Sequence, residues 1–194
     1  MAITRDSLLS LEQYARQRAQ FRAQVIAHKK YRTLPVGDHV TLLFEDELTI
    51  RYQVQEMLRI ERIFEDAGIV DELAAYGPLV PDGQNWKATM LIEFPDEAER
   101  RVWLRRLKGV EDRVWVRVEG FEPVHAIADE DLERENDVKT SSVHFLRFEL
   151  GPERVRAMLG RAELAVGIDH EAYSARVDPV PEAIRNSLCG DLRV

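Results

Sequence analysis

The chain has 194 residues, of which 45% are hydrophobic, and a formal net charge of −8. This length predicts a single domain, residues 1–194, with a substantial hydrophobic core. The acidic balance argues against binding to nucleic acid or to an anionic membrane, because both partners require a basic surface patch.

The first half of the chain predicts two helices with a strand between them. Ser10 and Gln13 form a capping box, and apolar residues then recur at helical spacing as far as Tyr31. Residues 40–44 alternate like a half-buried strand. The helix near residues 48–67 is apolar around most of its circumference, so we expect it to be central in the fold.

One residue of this central helix, Glu61, interrupts its apolar face. On a helical wheel Glu61 lies between Ile50 and Val54. Other polar residues within the wide apolar arc are Gln53, Glu56 and Glu65. Because a carboxylate withdrawn from water without a partner is costly, the sequence predicts that Glu61 is buried and matched. An internal salt bridge to Arg or Lys is the simpler explanation, and a ligand-binding or acid–base carboxylate is the alternative.

The second half of the chain predicts four strands and three helices. The strands lie near 86–94, 114–118, 142–150 and 163–169, and the helices near 96–109, 152–160 and 181–190. Residues 76–85 form a long connection whose apolar residues indicate that it folds back to line a pocket or an interface. The acidic segment 129–137 is explained by a solvated helix or loop.

The alternating strands predict an α+β fold. Strands of an all-parallel sheet would be more uniformly apolar. We therefore expect an antiparallel or mixed sheet of about five strands with helices packed on it, a number that comes from counting the alternating segments.

The histidines and several cations are the other candidates for a site. His144 and His170 are in register with the buried positions of their strands. Together with Glu61 they would match the ligand set of a mononuclear iron or zinc site, and hydrogen bonding of both histidines to backbone or carboxylate groups is the competing explanation. Candidates for a ligand pocket are Glu61, Arg59, His144, His28, Arg51 and Gln55. No residue can be assigned a catalytic role.

Cysteine usage limits the cofactors that the chain can bind by itself. Cys189 is the only cysteine, which excludes an internal disulfide and a self-contained iron–sulfur or cysteine-rich zinc site. No nucleotide-binding or other cofactor motif is present, so we expect no cofactor. There is also no secretory signal and no apolar run long enough to span a bilayer, so we expect a cytoplasmic protein.

The residues resemble one known family. The strongest likeness lies in residues 44–59, FEDELTIRYQVQEMLR, which resemble the core of an uncharacterised bacterial family, domain of unknown function 3501. Further segments that resemble this family are residues 27–30, 78–83, 88–94 and 142–149. The resemblance implies no established activity and no site residues. Similar proteins are often encoded beside rubrerythrin-like di-iron proteins and iron–sulfur oxidoreductases, which implies a setting of peroxide defence or electron transfer.

These observations support two functions. We expect an accessory or partner-binding protein of a redox system, whose partner is a rubrerythrin-like or iron–sulfur protein. The alternative is a small-molecule-binding protein or enzyme with an interior polar pocket around Glu61, in which a metal could take part. A homo-oligomer that buries Trp103 and Trp115 is compatible with either function.

Overall fold

The computed structural model describes residues 3–130, 134 and 138–194 of the chain. In these residues the helices are α1 (Leu11–Lys29), α2 (Glu47–Glu61), α3 (Asp66–Tyr76), α4 (Glu97–Arg106), α5 (Gly151–Leu159) and α6 (Glu182–Cys189). Short 3₁₀ helices span Arg5–Ser7, Gly77–Leu79 and Glu111–Arg113. None of these helices combines the length and the hydropathy that crossing a bilayer requires. Most of the predicted acidic segment, residues 131–133 and 135–137, lies outside the described part of the chain.

The strands form two antiparallel sheets. They are β1 (Thr33–Pro35), β2 (Val40–Glu45), β3 (Asn85–Ile92), β4 (Val114–Val118), β5 (Val124–His125), β6 (Ile127–Ala128), β7 (Val143–Glu149), β8 (Leu164–His170) and β9 (Tyr173–Val177). The first sheet has the order β1-β2-β3-β7-β6, and the second has the order β5-β4-β8-β9. The α+β prediction is confirmed, although the strands divide between two sheets. The strands that the sequence did not predict are β1, β5, β6 and β9, and the first three of these are too short to produce an alternating pattern.

Both sheets contribute to the same main hydrophobic cluster. Members from the first sheet include Leu42, Met90 and Phe148, and members from the second include Val116 and Val166. A second, smaller cluster joins the N-terminal segment to α2 and α3. Its buried members are Ile3, Leu8, Ile50, Val54, Leu58 and Ile69. The single domain over residues 1–194 stays a prediction.

The helix predicted over residues 48–67 is two helices. It begins as expected, because the Asp46 side chain caps α2 by accepting a hydrogen bond of 2.9 Å from the Thr49 amide. It ends at Glu61, since Arg62 adopts a left-handed conformation with φ of 57°. Helix α3 then begins at Asp66. The break was not predicted because glycine or asparagine, rather than arginine, usually marks such a turn.

Candidate functional site

A cavity of about 690 Å³ lies between α3 and one face of the first sheet. Apolar residues dominate its lining, with Ala75, Tyr76 and Leu79 on the helical side and Ile127 and Phe145 on the sheet side. Cavities of about 300–1,000 Å³ with mainly apolar walls and a few polar groups are typical of small-molecule sites. The cavity is therefore the candidate ligand site of this protein.

The strand alternation explains which β7 side chains reach the cavity. Along this strand His144 and Phe148 are buried, whereas Phe145 and Arg147 are half-buried and line the cavity from the opposite face. The cavity is closed at one end by the 3₁₀ turn after α3. There the carbonyl oxygen of Pro78 accepts a hydrogen bond of 2.8 Å from Lys87 Nζ.

Two cationic side chains of the first sheet, Arg147 and Lys87, differ in the number of hydrogen bonds that they donate. Arg147 donates two hydrogen bonds of 2.7 Å to Glu130 and a third to Glu149. The hydrogen bond from Arg147 lowers the pKa of Glu130. Burial, with the neighbouring charge of Arg147, lowers the pKa of Lys87. Within the described residues, Lys87 Nζ makes the single hydrogen bond to Pro78. Two of its three N–H groups are therefore available to a ligand.

The helical side of the cavity presents a carboxylate, Glu72. Its Oε2 atom is buried and has no hydrogen-bond partner among the described residues. Burial raises the pKa of Glu72, and the negative charges of Glu61 and Asp71 raise it further. Because buried polar atoms are generally hydrogen-bonded, this oxygen indicates a missing partner in the cavity.

A second polar cluster lies on the opposite face of β7. His144 is completely buried, and its Nδ1 atom is 2.5 Å from Asp129 Oδ2 and 3.9 Å from Glu111 Oε1. Its Nε2 atom is 3.1 Å from the carbonyl oxygen of Ser141 and 3.0 Å from Thr140 Oγ1. Three potential metal ligands, from Glu111, Asp129 and His144, lie within 4.8 Å of one another.

Asp129 connects this cluster to the cavity. Its Oδ1 atom accepts a hydrogen bond of 2.9 Å from the amide of Phe145 and lies 3.3 Å from Arg134 Nε. Phe145 and Arg134 both line the cavity, and the Arg134 guanidinium lies 4.5 Å from the centre of the Phe145 ring. Phe145 and Arg134 thus contact both the cavity and Asp129.

Comparison with known proteins gives the family. Residues 2–192 match the model of the family described as "Protein of unknown function (DUF3501)". The chain belongs to this family. The DUF3501 chain is similar to a crystal structure of a novel protein of unknown function from Burkholderia pseudomallei K96243. The two share 56% sequence identity and a TM-score of 0.91, and the match covers 100% of each chain. No curated protein matches the chain.

In this DUF3501 protein the prediction that Glu61 is buried is wrong. Glu61 is exposed at the last residue of α2. The carboxylate of that helix with partly buried hydrogen-bond partners is instead Glu56, which accepts hydrogen bonds of 2.7 and 2.8 Å from Arg18 and one of 2.6 Å from Tyr14. Arg59 also contacts Glu56, at 3.3 Å. The hydrogen bond from Arg18 is the largest influence on Glu56 and lowers its pKa to about 2.

Two other predicted pocket residues, Arg51 and Gln55, line a separate cavity of about 270 Å³. Gln55 is buried, and its side-chain amide exchanges hydrogen bonds of 2.7 and 3.3 Å with the backbone of Leu9. Arg51 lies 3.6 Å from Glu47 and 5.6 Å from the centre of the Phe21 ring. Gln55 therefore connects the N-terminal segment to α2 by hydrogen bonds.

The remaining histidine candidates have local partners. His28 Nε2 lies 2.5 Å from Oδ2 of Asp46, the residue that caps α2. His170 Nε2 donates to the carbonyl oxygen of Lys108 at 2.9 Å, and its Nδ1 accepts from the amide of Ala172 at 3.2 Å. The backbone thus satisfies both ring nitrogens of His170 in its neutral form.

The structure does not bring Glu61, His144 and His170 together as a metal site. Of these three, His144 is the one with carboxylate neighbours, and those neighbours are Glu111 and Asp129. Sequence reasoning missed both carboxylates. Glu111 lies in a three-residue 3₁₀ turn, and Asp129 follows the two-residue strand β6, so neither belongs to a periodic element.

Proposed function

We propose that this protein binds a small, largely apolar organic molecule in the cavity between α3 and the first sheet. The proposal is carried by the buried Glu72 Oε2, which has no hydrogen-bond partner among the described residues and lines that cavity. A ligand that filled the apolar space and donated a hydrogen bond to Glu72 would supply this partner.

The charges around Glu72 define the polar part of the ligand. Burial raises the pKa of Glu72, and the charges of Glu61 and Asp71, which make its surroundings negative, raise this pKa further. Such a site favours a hydroxyl or amino group over a carboxylate at that end of the ligand. On the sheet side, Lys87 offers two N–H groups to an acceptor atom. We therefore infer an apolar alcohol or amine as the ligand class.

Fluorescence titration with N-phenyl-1-naphthylamine, an apolar probe with one N–H donor, tests the proposal. Saturable enhancement is expected. The substitution Ala75→Trp fills part of the cavity and should weaken binding at least tenfold. The matched control is Ala98→Trp, which makes the same change at an exposed position of α4 and should bind like the unaltered protein. Equal affinities for both variants would refute the cavity as the binding site.

A second substitution tests the role of Glu72. Glu72→Leu keeps a side chain of similar length but removes the acceptor. If Glu72 accepts a hydrogen bond from the probe, affinity should fall at least fivefold, since hydrogen bonds to charged groups contribute about 1.5–3 kcal/mol. If Glu72 does not contact the probe, the added apolar surface should strengthen binding instead. That result would contradict the assigned ligand polarity.

We also propose the accessory role as a second function, on a different observation. Ile60, Phe64 and Val70, close together in the chain around the α2–α3 connection, are 61%, 72% and 57% exposed. Large exposed apolar side chains are enriched where proteins bind one another. A rubrerythrin-like protein or an iron–sulfur protein is the proposed partner. The role assumes the cytoplasmic location that the sequence predicts.

Light scattering on a mixture with a purified rubrerythrin-like protein from the same genome tests this role. A complex should form with the unaltered protein and be lost in Phe64→Ser. The control is Val102→Ser, a matched change at an apolar residue of α4 that is 54% exposed. The absence of a complex with either class of partner would exclude the role. A larger particle without a partner would indicate a homo-oligomer instead.

A further inference from the structure

The buried cluster of Glu111, Asp129 and His144 is a candidate for metal chemistry on the face of β7 opposite the cavity. The three residues come from separate parts of the chain: a 3₁₀ turn, the segment after β6, and β7. Glu111 is 7% exposed and His144 is completely buried. Asp129 has a side chain that is 10% exposed. Two carboxylates are thus held around one imidazole in a region nearly without solvent.

The contacts of His144 are compatible with a lone pair on Nδ1. Thr140 Oγ1, 3.0 Å from Nε2, can donate or accept, whereas the Ser141 carbonyl oxygen at 3.1 Å only accepts and is hydrogen-bonded when Nε2 carries the proton. In the neutral imidazole Nδ1 is then unprotonated. The atoms that Nδ1 faces, Asp129 Oδ2 and Glu111 Oε1, are acceptors as well. A proton on Nδ1 shared with Asp129 Oδ2, or a metal ion that also binds Glu111 Oε1, would make these contacts favourable.

We propose that Nδ1 of His144, Oδ2 of Asp129 and Oε1 of Glu111 form a three-ligand site for a divalent first-row transition-metal ion. Metal–ligand bonds of about 2.1 Å place adjacent ligand atoms about 3.0–3.4 Å apart in octahedral or tetrahedral geometry. The observed separations of 2.5 Å and 3.9 Å from Nδ1 lie on either side of that range. Side-chain movements of less than 1 Å at each carboxylate, about the size of a small rotamer adjustment, would bring both distances from Nδ1 into this range.

The groups around the three ligands match the usual surroundings of a metal site. A ligating histidine generally donates its other N–H to a carbonyl or carboxylate, and Nε2 has the Ser141 carbonyl oxygen at 3.1 Å for this role. The second oxygen of Asp129 is held by the amide of Phe145 and lies 3.3 Å from Arg134. One imidazole nitrogen with two carboxylate oxygens suits Mn²⁺, Fe²⁺ or Zn²⁺.

Binding of Mn²⁺ and Zn²⁺ to untagged, chelator-treated protein tests the site. Titration of the free Mn²⁺ resonance signal should give one ion per chain with a dissociation constant below about 100 μM, and calorimetry should give the same stoichiometry for Zn²⁺. The variants Glu111→Gln, Asp129→Asn and His144→Gln should each weaken binding at least tenfold. The first two variants keep the shape of the side chain. Circular dichroism shows whether each variant is folded, and it therefore separates loss of binding from loss of folding.

His28→Gln is the matched control. His28 also lies 2.5 Å from an aspartate, Asp46, but it is outside the three-ligand cluster. This variant should bind metal like the unaltered protein. An anomalous diffraction peak at the metal edge, within bonding distance of His144 Nδ1, would establish the position in the unaltered protein. Absence of binding in the unaltered protein, or unchanged binding in all three ligand variants, would overturn the proposal.

Discussion

Two glutamates of the same helix should respond differently to the same substitution. Glu56 accepts three hydrogen bonds from Arg18 and Tyr14, and its side chain is 13% exposed. Glu61 is exposed at the end of α2. We predict that Glu56→Gln destabilises the protein at neutral pH, whereas Glu61→Gln changes the free energy of unfolding by less than about 0.5 kcal/mol.

The pKa of Glu56 determines how much stability Glu56→Gln should lose. A carboxylate whose pKa falls from 4.5 when unfolded to about 2 when folded contributes at most about 3 kcal/mol at pH 7. Residual exposure and the hydrogen bonds that the glutamine side chain retains reduce the expected loss to about 2 kcal/mol. Because the folded pKa is the lower one, this stabilisation is complete above pH 4.5 and disappears as the pH falls toward 2.

Urea unfolding followed by tryptophan fluorescence measures both variants, since Trp86 is completely buried. The two should be compared at pH 7 and at pH 3, where the difference between Glu56→Gln and the unaltered protein should shrink. A Glu61→Gln variant as unstable as Glu56→Gln would refute the assignment. So would a Glu56→Gln variant that loses less than about 0.5 kcal/mol at pH 7, the usual range of a neutral surface change.

Two further substitutions test the packing. Gly167→Ala should cost about 2 kcal/mol, because its Cβ would lie 2.2 Å from a ring atom of Trp115. Gly77→Ala, with no atom within 4 Å of the added carbon, is its control. Arg32→Met should cost at least about 3 kcal/mol, because Arg32 is 1% exposed and its Nη2 lies 2.5 Å from Asp191. Urea midpoints measure both losses. Equal stability of the two glycine variants, or a loss below about 1 kcal/mol for Arg32→Met, would contradict these packing arguments.

Sequence periodicity predicted the helices and strands whose pattern is contained within their own residues. The alternation of residues 86–94 corresponds to β3, and the capping box of Ser10 and Gln13 begins α1. Helix α3 was missed because its start depends on the left-handed conformation of Arg62, which the sequence does not mark. Without α3 the helical wall of this cavity could not be predicted. The expectation that the connection 76–85 lines a pocket or an interface agrees with the positions of Pro78 and Leu79 in the cavity wall.

The site residues were harder to predict because their partners are distant in the chain. A helical wheel shows which residues share a face, but it does not show which element packs there. Glu56 is paired because α1, 38 residues earlier, supplies Arg18. Glu111 and Asp129 meet His144 through tertiary contacts between three segments, and no spacing in the sequence records such a meeting.

The most direct test of the central claim is a crystal structure of the protein grown with saturating N-phenyl-1-naphthylamine. We predict probe density between α3 and the first sheet, with the probe nitrogen within hydrogen-bond distance of Glu72 Oε2. Density at another surface, with no probe beside Glu72, would contradict it.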